Sequence, residues 1–183
     1  KITSRYYAMD KNGKSTHSNV QLAARAVEGL LDNTITRDNI DLLTFGTMSP
    51  EQLLPSHTAM IHGELACPPV EIASISSSCA SGFQALKYAW LSVKCGDKKC
   101  AVAGASEKVS TWLRSDKFEA EAEKLKHLDA NPMIAFEKEF MRWMLSDGAA
   151  AALLQDKPNS NGISLKIDWI DIKSYANELP ACM

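Results

Sequence analysis

The run Ser76-Ser77-Ser78-Cys79-Ala80-Ser81-Gly82-Phe83 sets one thiol among small residues. It follows a short apolar stretch, residues 70–75, that reads as a strand, and it opens an apolar helical stretch ending near Lys94. A cysteine at such a turn faces helical N–H groups that have no partner within the helix, and the positive end of the macrodipole. Both favour thiolate over thiol, and the thiolate is the reactive nucleophile. Small neighbours leave room for an acyl group at the sulfur. The chemistry predicted for Cys79 is attack on an acyl donor; the competing reading is the commoner one, a small buried structural cysteine.

No other set of reactive residues shares a useful spacing. Cys67, Cys79, Cys95, Cys100 and Cys182 are odd in number and contain no CxxC pair. Neither zinc-site spacing nor a disulfide framework follows from them. His17, His57, His62 and His127 are scattered, and His57 and His62 fall five apart, off the spacing that aligns two ligands on one helix face. We therefore expect no metal and no permanently bound cofactor. Free thiols in this number fit a reducing cytoplasm.

A formal net charge of -2 gives no basic footprint for nucleic acid or an anionic membrane. No apolar run approaches the roughly 20 residues needed to span a bilayer. The start, Lys1-Ile2-Thr3-Ser4-Arg5, lacks both a secretory segment and an initiator Met. That start predicts a chain beginning inside a longer protein. With 45% hydrophobic residues, the 183-residue chain can bury one sizeable core and is not disordered.

The elements that must hold Cys79 follow from periodicity. Residues 19–31 carry Val20, Leu22, Ala23, Ala26, Val27, Leu30 and Leu31 at helical spacing, with Ser18 or Asn19 as cap. Residues 41–47 read as a buried strand. A loop over 48–55 leads to a second helix at 56–65, which Cys67-Pro68-Pro69 ends. Strands follow at 70–75 and, after the cysteine helix, at 99–105. Alternating strands and helices predict an α/β fold with a largely parallel sheet. Residues 107–142 are rich in Lys and Glu and predict one or two short helices, a solvated cap or a lid. Ser146-Asp147-Gly148 reads as a turn, 149–154 as a small-residue strand, and 163–172 as a last strand by alternation.

The order of these pieces resembles the N-terminal half of the thiolase superfamily, nearest to the β-ketoacyl-acyl-carrier-protein synthase III type. Residues 2–8 resemble the segment before the first helix. Phe45-Gly46-Thr47-Met48-Ser49-Pro50, then Leu54-Pro55-Ser56, resemble the strand, loop and start of the second helix. Ser78-Cys79-Ala80-Ser81-Gly82-Phe83 resembles the nucleophile turn, and Val102-Ala103-Gly104-Ala105-Ser106 the strand after it. Leu145-Ser146-Asp147-Gly148-Ala149-Ala150 resembles the Gly-Asp-Gly-Ala signature, with Ser146 in place of the first glycine.

The resemblance implies a thiolase-like domain over residues 1–183, a mixed and mostly parallel sheet with a buried nucleophile helix and a helical cap insertion at 107–142. It implies Claisen condensation: Cys79 takes an acyl group from a coenzyme A or acyl-carrier-protein thioester, and a decarboxylating malonyl thioester attacks it. The Cys79 N–H would be one oxyanion donor. Leu54 matches a residue that reaches across a homodimer into the partner's acyl pocket, and Leu145 one lining the same pocket; either is equally readable as a core leucine. The histidine and asparagine that stabilise the enolate belong to the family's C-terminal half, expected beyond Met183, and none of the chain's histidines matches them. Arg142 is the nearest counterpart of an arginine that contacts the cofactor moiety.

Three alternatives stand beside this reading. A degradative thiolase usually has a longer loop domain after the nucleophile helix. A hydroxymethylglutaryl-coenzyme A synthase needs a glutamate where Met48 stands, with Glu51 three residues further on. A non-catalytic ketosynthase-like partner subunit typically lacks the nucleophile. The helix after Cys79 is apolar around much of its circumference, which predicts exposed apolar surface in an isolated half, and hence association or a longer chain.

Overall fold

The computed structural model describes residues 3–113, 132, 144–160 and 162–179. Among the described residues, three helices and four strands follow one another as α1 (Asn19–Glu28), β1 (Leu42–Thr47), α2 (His57–Leu65), β2 (Glu71–Ser76), α3 (Ser81–Lys94), β3 (Cys100–Glu107) and β4 (Gly148–Gln155). Single 3-10 turns lie at Arg37–Asn39 and Val109–Thr111. The strands lie in the order β2-β1-β3-β4. β1 is parallel to both β2 and β3, and β3 is antiparallel to β4. This is the mixed, mostly parallel α/β sheet that the sequence predicts.

Crossing direction decides which face each helix covers. From β1 the chain moves outward to β2, then returns past β1 to β3. Connections of one hand then put α2 and α3 on opposite faces. Two cores result. On one face Val20, Ala23, Ala24 and Val27 of α1 pack with Ile61 and Leu65 of α2, over Leu43, Phe45 and Val102. On the other, Ala89 and Val93 of α3 pack over Leu42, Ala101, Ala103 and Leu154. Adjacent residues Leu42 and Leu43 thus serve opposite cores, and every residue of β1 is buried. A strand covered on both faces buries consecutive residues rather than alternate ones, as β1 does even at Thr44 and Thr47.

Local signals place the ends. Ser18 Oγ accepts from Gln21 N at 3.1 Å while Gln21 Oε1 accepts from Ser18 N at 3.0 Å, a reciprocal capping box. Ser18→Ala is expected to cost about 1 kcal/mol, read as a lower urea midpoint at unchanged slope. Asp41 ties the mouths of two strands together: its Oδ2 accepts from Lys99 N at 2.9 Å and Cys100 N at 3.1 Å.

Two expectations change. The first helix ends at Glu28 rather than at 31. There Asp32 Oδ1 takes the N–H groups of Thr34 and Ile35 at 2.7 and 2.8 Å and turns the chain toward β1. The strand expected over 163–172 is not formed, since its described residues lack a ladder partner. Ile163 is 92% exposed and Trp169 76%, while Ile167 packs beside the α3 core. Alternation specifies a two-faced segment, but a strand forms only by pairing, and among the described residues this segment joins neither edge strand, β2 nor β4.

β2 is exposed over much of its length, as an edge strand can be. Helix α3 buries Ser81, Ala85, Ala89 and Val93 along one stripe. Its other side is open, with Phe83 63% exposed and Leu91 also in solvent. That is the exposed apolar face expected of such a half. The cap expected at 107–142 lies largely outside the described residues. Its base is described: Glu107 ends β3, and the 3-10 turn follows.

Candidate active site

Three connections meet at one end of the sheet. β1, β2 and β3 run parallel, so the loops after each leave from the same edge, and antiparallel β4 enters there. Leu54 is in the loop after β1, Cys79 in the turn after β2, and Leu145 just before β4, whose Gly148 pairs with Glu107. The topology thus gathers all three sequence-predicted site residues at the carboxyl end of the parallel strands. Ligands of open α/β sheets bind at that end, where the strand order reverses.

Cys79 lies in a turn rather than in the helix. Ser81 N donates to Ser78 O at 3.0 Å, enclosing Cys79 and Ala80, and α3 starts at Ser81 with Ala80 as its cap. Serines cap α1 and α2 through their side chains, but Ala80 has no side chain to do so. The thiol is exposed. The N-terminus of this fourteen-residue helix is therefore left without a side-chain cap next to Cys79.

The other described cysteines differ in ways that matter chemically. Cys67 and Cys100 are partly or fully buried, and burial pushes both thiols up. Cys95 is exposed but sits at the opposite, negative end of α3, with Sγ 3.5 Å from the Ser92 carbonyl. Cys182, His127 and Arg142 lie outside the described residues. Among the described residues no group of three or more His, Cys, Asp or Glu is arranged to hold a metal ion. No described helix is long and apolar enough to cross a membrane.

Leu54 is 85% exposed and its neighbour Leu53 83%. Leu145 is half-buried, with its carbonyl 3.4 Å from Tyr7 Oη. Neither is a core leucine, so for these two the exposure disfavours the structural reading. At the start of the loop that carries Leu53 and Leu54 lies a polar clamp that sequence reasoning missed. Glu107 accepts from Met48 N at 2.8 Å and Thr47 Oγ1 at 3.3 Å, and it also holds Ser49 Oγ. The fully buried Asn19 donates to Ser49 O at 3.0 Å and Thr47 Oγ1 at 3.2 Å. Glu51 accepts from Asn19 N at 2.6 Å and so is engaged at the start of α1. The clue available was the run of hydrogen-bonding types, Thr47, Ser49 and Glu51, directly after an apolar strand.

His57 takes the core role for which its sequence context left room. It is buried, with Nε2 2.8 Å from Ser106 Oγ and Nδ1 without a partner. Burial holds its pKa below 6.5, partly opposed by the charge of Glu51. The unfolded chain therefore takes up this proton first, and stability present above about pH 6.5 declines as pH falls below it. We expect the melting temperature to drop between pH 7 and 5, and to drop less in His57→Gln.

Residues 6–138 match the family model described as thiolase, N-terminal domain. That is more than half of the 183 residues. The chain belongs to the thiolase N-terminal domain family. Solved structures agree in fold. The thiolase-type chain is similar to AbyA1, a tetronic acid condensing enzyme, at 23% identity and a TM-score of 0.67, covering 85% of this chain and 43% of that one. A variant of OleA from Xanthomonas campestris gives 21% and 0.59, with 75% and 40% covered. The 3-oxoacyl-[acyl-carrier-protein] synthase III of Aquifex aeolicus gives 19% and 0.58, with 80% and 41% covered. The chain thus spans less than half the length of these structures. No curated protein sequence matches it.

Proposed function

We propose that this thiolase-type domain supplies the acyl-accepting half of a condensing enzyme. The carrying observation is that Cys79 is the described exposed thiol at a helix N-terminus, at the sheet end where the loops converge. Its thiolate attacks the carbonyl of an acyl-coenzyme A or acyl-carrier-protein thioester. The old C–S bond breaks, the donor leaves as a thiolate, and acyl-Cys79 forms. The Cys79 N–H serves as one donor to the oxyanion.

In the whole enzyme a malonyl thioester loses carbon dioxide, and its carbanion attacks the acyl carbon. That step forms the new C–C bond, releases Cys79 as thiolate and yields a 3-oxoacyl thioester of fatty-acid or polyketide type. A homodimer brings Leu54 of one copy to the acyl pocket lined by Leu145 of its partner. Exposure of Leu53 and Leu54 on a clamped loop supports this arrangement.

Incubation of the chain with acetyl- and octanoyl-coenzyme A, followed by intact mass and peptide mapping, tests the first step. One acyl group per chain, on the Cys79 peptide, is expected. A chain that stays unacylated at saturating thioester overturns the reading in favour of a non-catalytic partner subunit.

A further inference from the structure

The peptide joining Ser81 to Gly82 lies directly on the sheet. Gly46 of β1 shares a rung with Ile75 of β2 and Ala105 of β3. A Cβ on Gly46 would stand 2.3 Å from the Ser81 carbonyl carbon, 2.4 Å from its oxygen and 2.7 Å from Gly82 N. All three are main-chain atoms, so no side-chain rotation relieves the overlap. Gly82 repeats the condition from above, since its Cβ would stand 2.8 Å from that of Ala105. Two glycines and an alanine thereby fix how deeply the first turn of α3 seats. Ser81 is itself buried, and its N–H closes the turn that contains Cys79. Any lift of the 81–82 peptide is carried to the sulfur through that one closed turn.

We propose that the Gly46–Ala105 rung is a positioning seat for Cys79. Neither residue takes part in the chemistry; the rung sets where the thiol stands relative to the N-terminus of α3. Its consequence for acyl transfer rests on the function proposed above, while its geometry does not. Gly104 provides the contrast. A Cβ there would stand 2.3 Å from the Phe45 ring and 2.8 Å from Ala150 O, an equally close approach, but against the core on the face opposite α3.

The test is competitive alkylation of the full chain by iodoacetamide at pH 7, with each cysteine quantified by peptide mapping. Cys95, at the far end of the same helix, is the internal reference, so general loosening moves both sites together. Gly46→Ala should lower the Cys79:Cys95 ratio about two- to fivefold, the range a helix N-terminus contributes at an exposed site. Gly104→Ala should leave the ratio unchanged at a comparable loss of stability. Gly82→Ala should also lower the ratio, and adding Ala105→Gly should restore it; this pair decides the matter where Gly46→Ala does not fold. Equal ratios in Gly46→Ala and Gly104→Ala, or no rescue by Ala105→Gly, would overturn the seat. Variants that show these ratios, beside an unsubstituted chain that takes no acyl group from a thioester, overturn the condensing function and leave the seat standing.

Discussion

Cys79→Ala is expected to abolish acylation by a thioester, by at least about three orders of magnitude, as removal of a catalytic nucleophile does. The fold should not notice. The thiol is exposed, so its loss opens no cavity, and alanine occupies the turn as readily as its neighbour Ala80 does. Surface changes of this kind stay within about 0.5 kcal/mol. The comparison that gives the result its force is Cys95→Ala, which removes the other exposed described thiol. That variant should keep its adduct. Cys67 and Cys100 are poor competitors because burial holds both in the thiol form. An adduct that survives in Cys79→Ala and disappears in Cys95→Ala would move the nucleophile to the wrong end of α3.

The second large effect concerns Asp147 and is structural. Its buried carboxylate accepts from Ala8 N at 2.7 Å through one oxygen and from Ser110 N at 2.9 Å through the other. Its own N–H donates to Tyr6 O at 2.8 Å. One side chain thus joins the N-terminal segment, the turn after β3 and the entry to β4. Asp147→Ala leaves two backbone donors without an acceptor, and each such group costs about 1–3 kcal/mol. The expected loss is therefore roughly 2–5 kcal/mol, read from urea unfolding followed by circular dichroism. Asp147→Asn should not rescue it fully, because the amide must turn an NH2 group toward a backbone N–H. A loss below about 1 kcal/mol in both variants would show that water replaces the carboxylate.

Much of this architecture was legible because single residues signal strongly. Ser18, one of two candidate caps, does start a helix, and Leu42, Leu43 and Phe45 mark a buried strand. Ser146 and Asp147 form no turn but lead directly into β4, which begins at the glycine. What Asp147 does there was not readable, since its partners are Ala8 and Ser110, backbone groups that no side-chain pattern reports. The clamp of Glu107 on Ser49 and Met48 stayed hidden for the same reason: it joins residues nearly sixty positions apart. Residues 163–172 mislead in the opposite direction. Their alternation is genuine, yet a strand forms only by pairing, and alternation within a segment does not say whether a partner takes it up. For the proposed site, residue type singled out Cys79, and exposure, which sequence cannot supply, separated Leu54 from the core leucines.

The pairing of Glu107 with Gly148 has a consequence for how such a domain can diversify. Residues 108–147 leave the sheet and rejoin it at neighbouring positions, and Asp147 fastens the point of departure to the point of return. To the strands, the whole excursion is equivalent to a hairpin loop. Doubling a loop's length costs only about 0.6 kcal/mol in closure entropy. Descendants could therefore lengthen, shorten or exchange this stretch while β3 and β4 keep their register. Evolution, or an engineer, has here a cassette with fixed ends, both at the sheet end that also carries Cys79, and open to revision without refolding the rest.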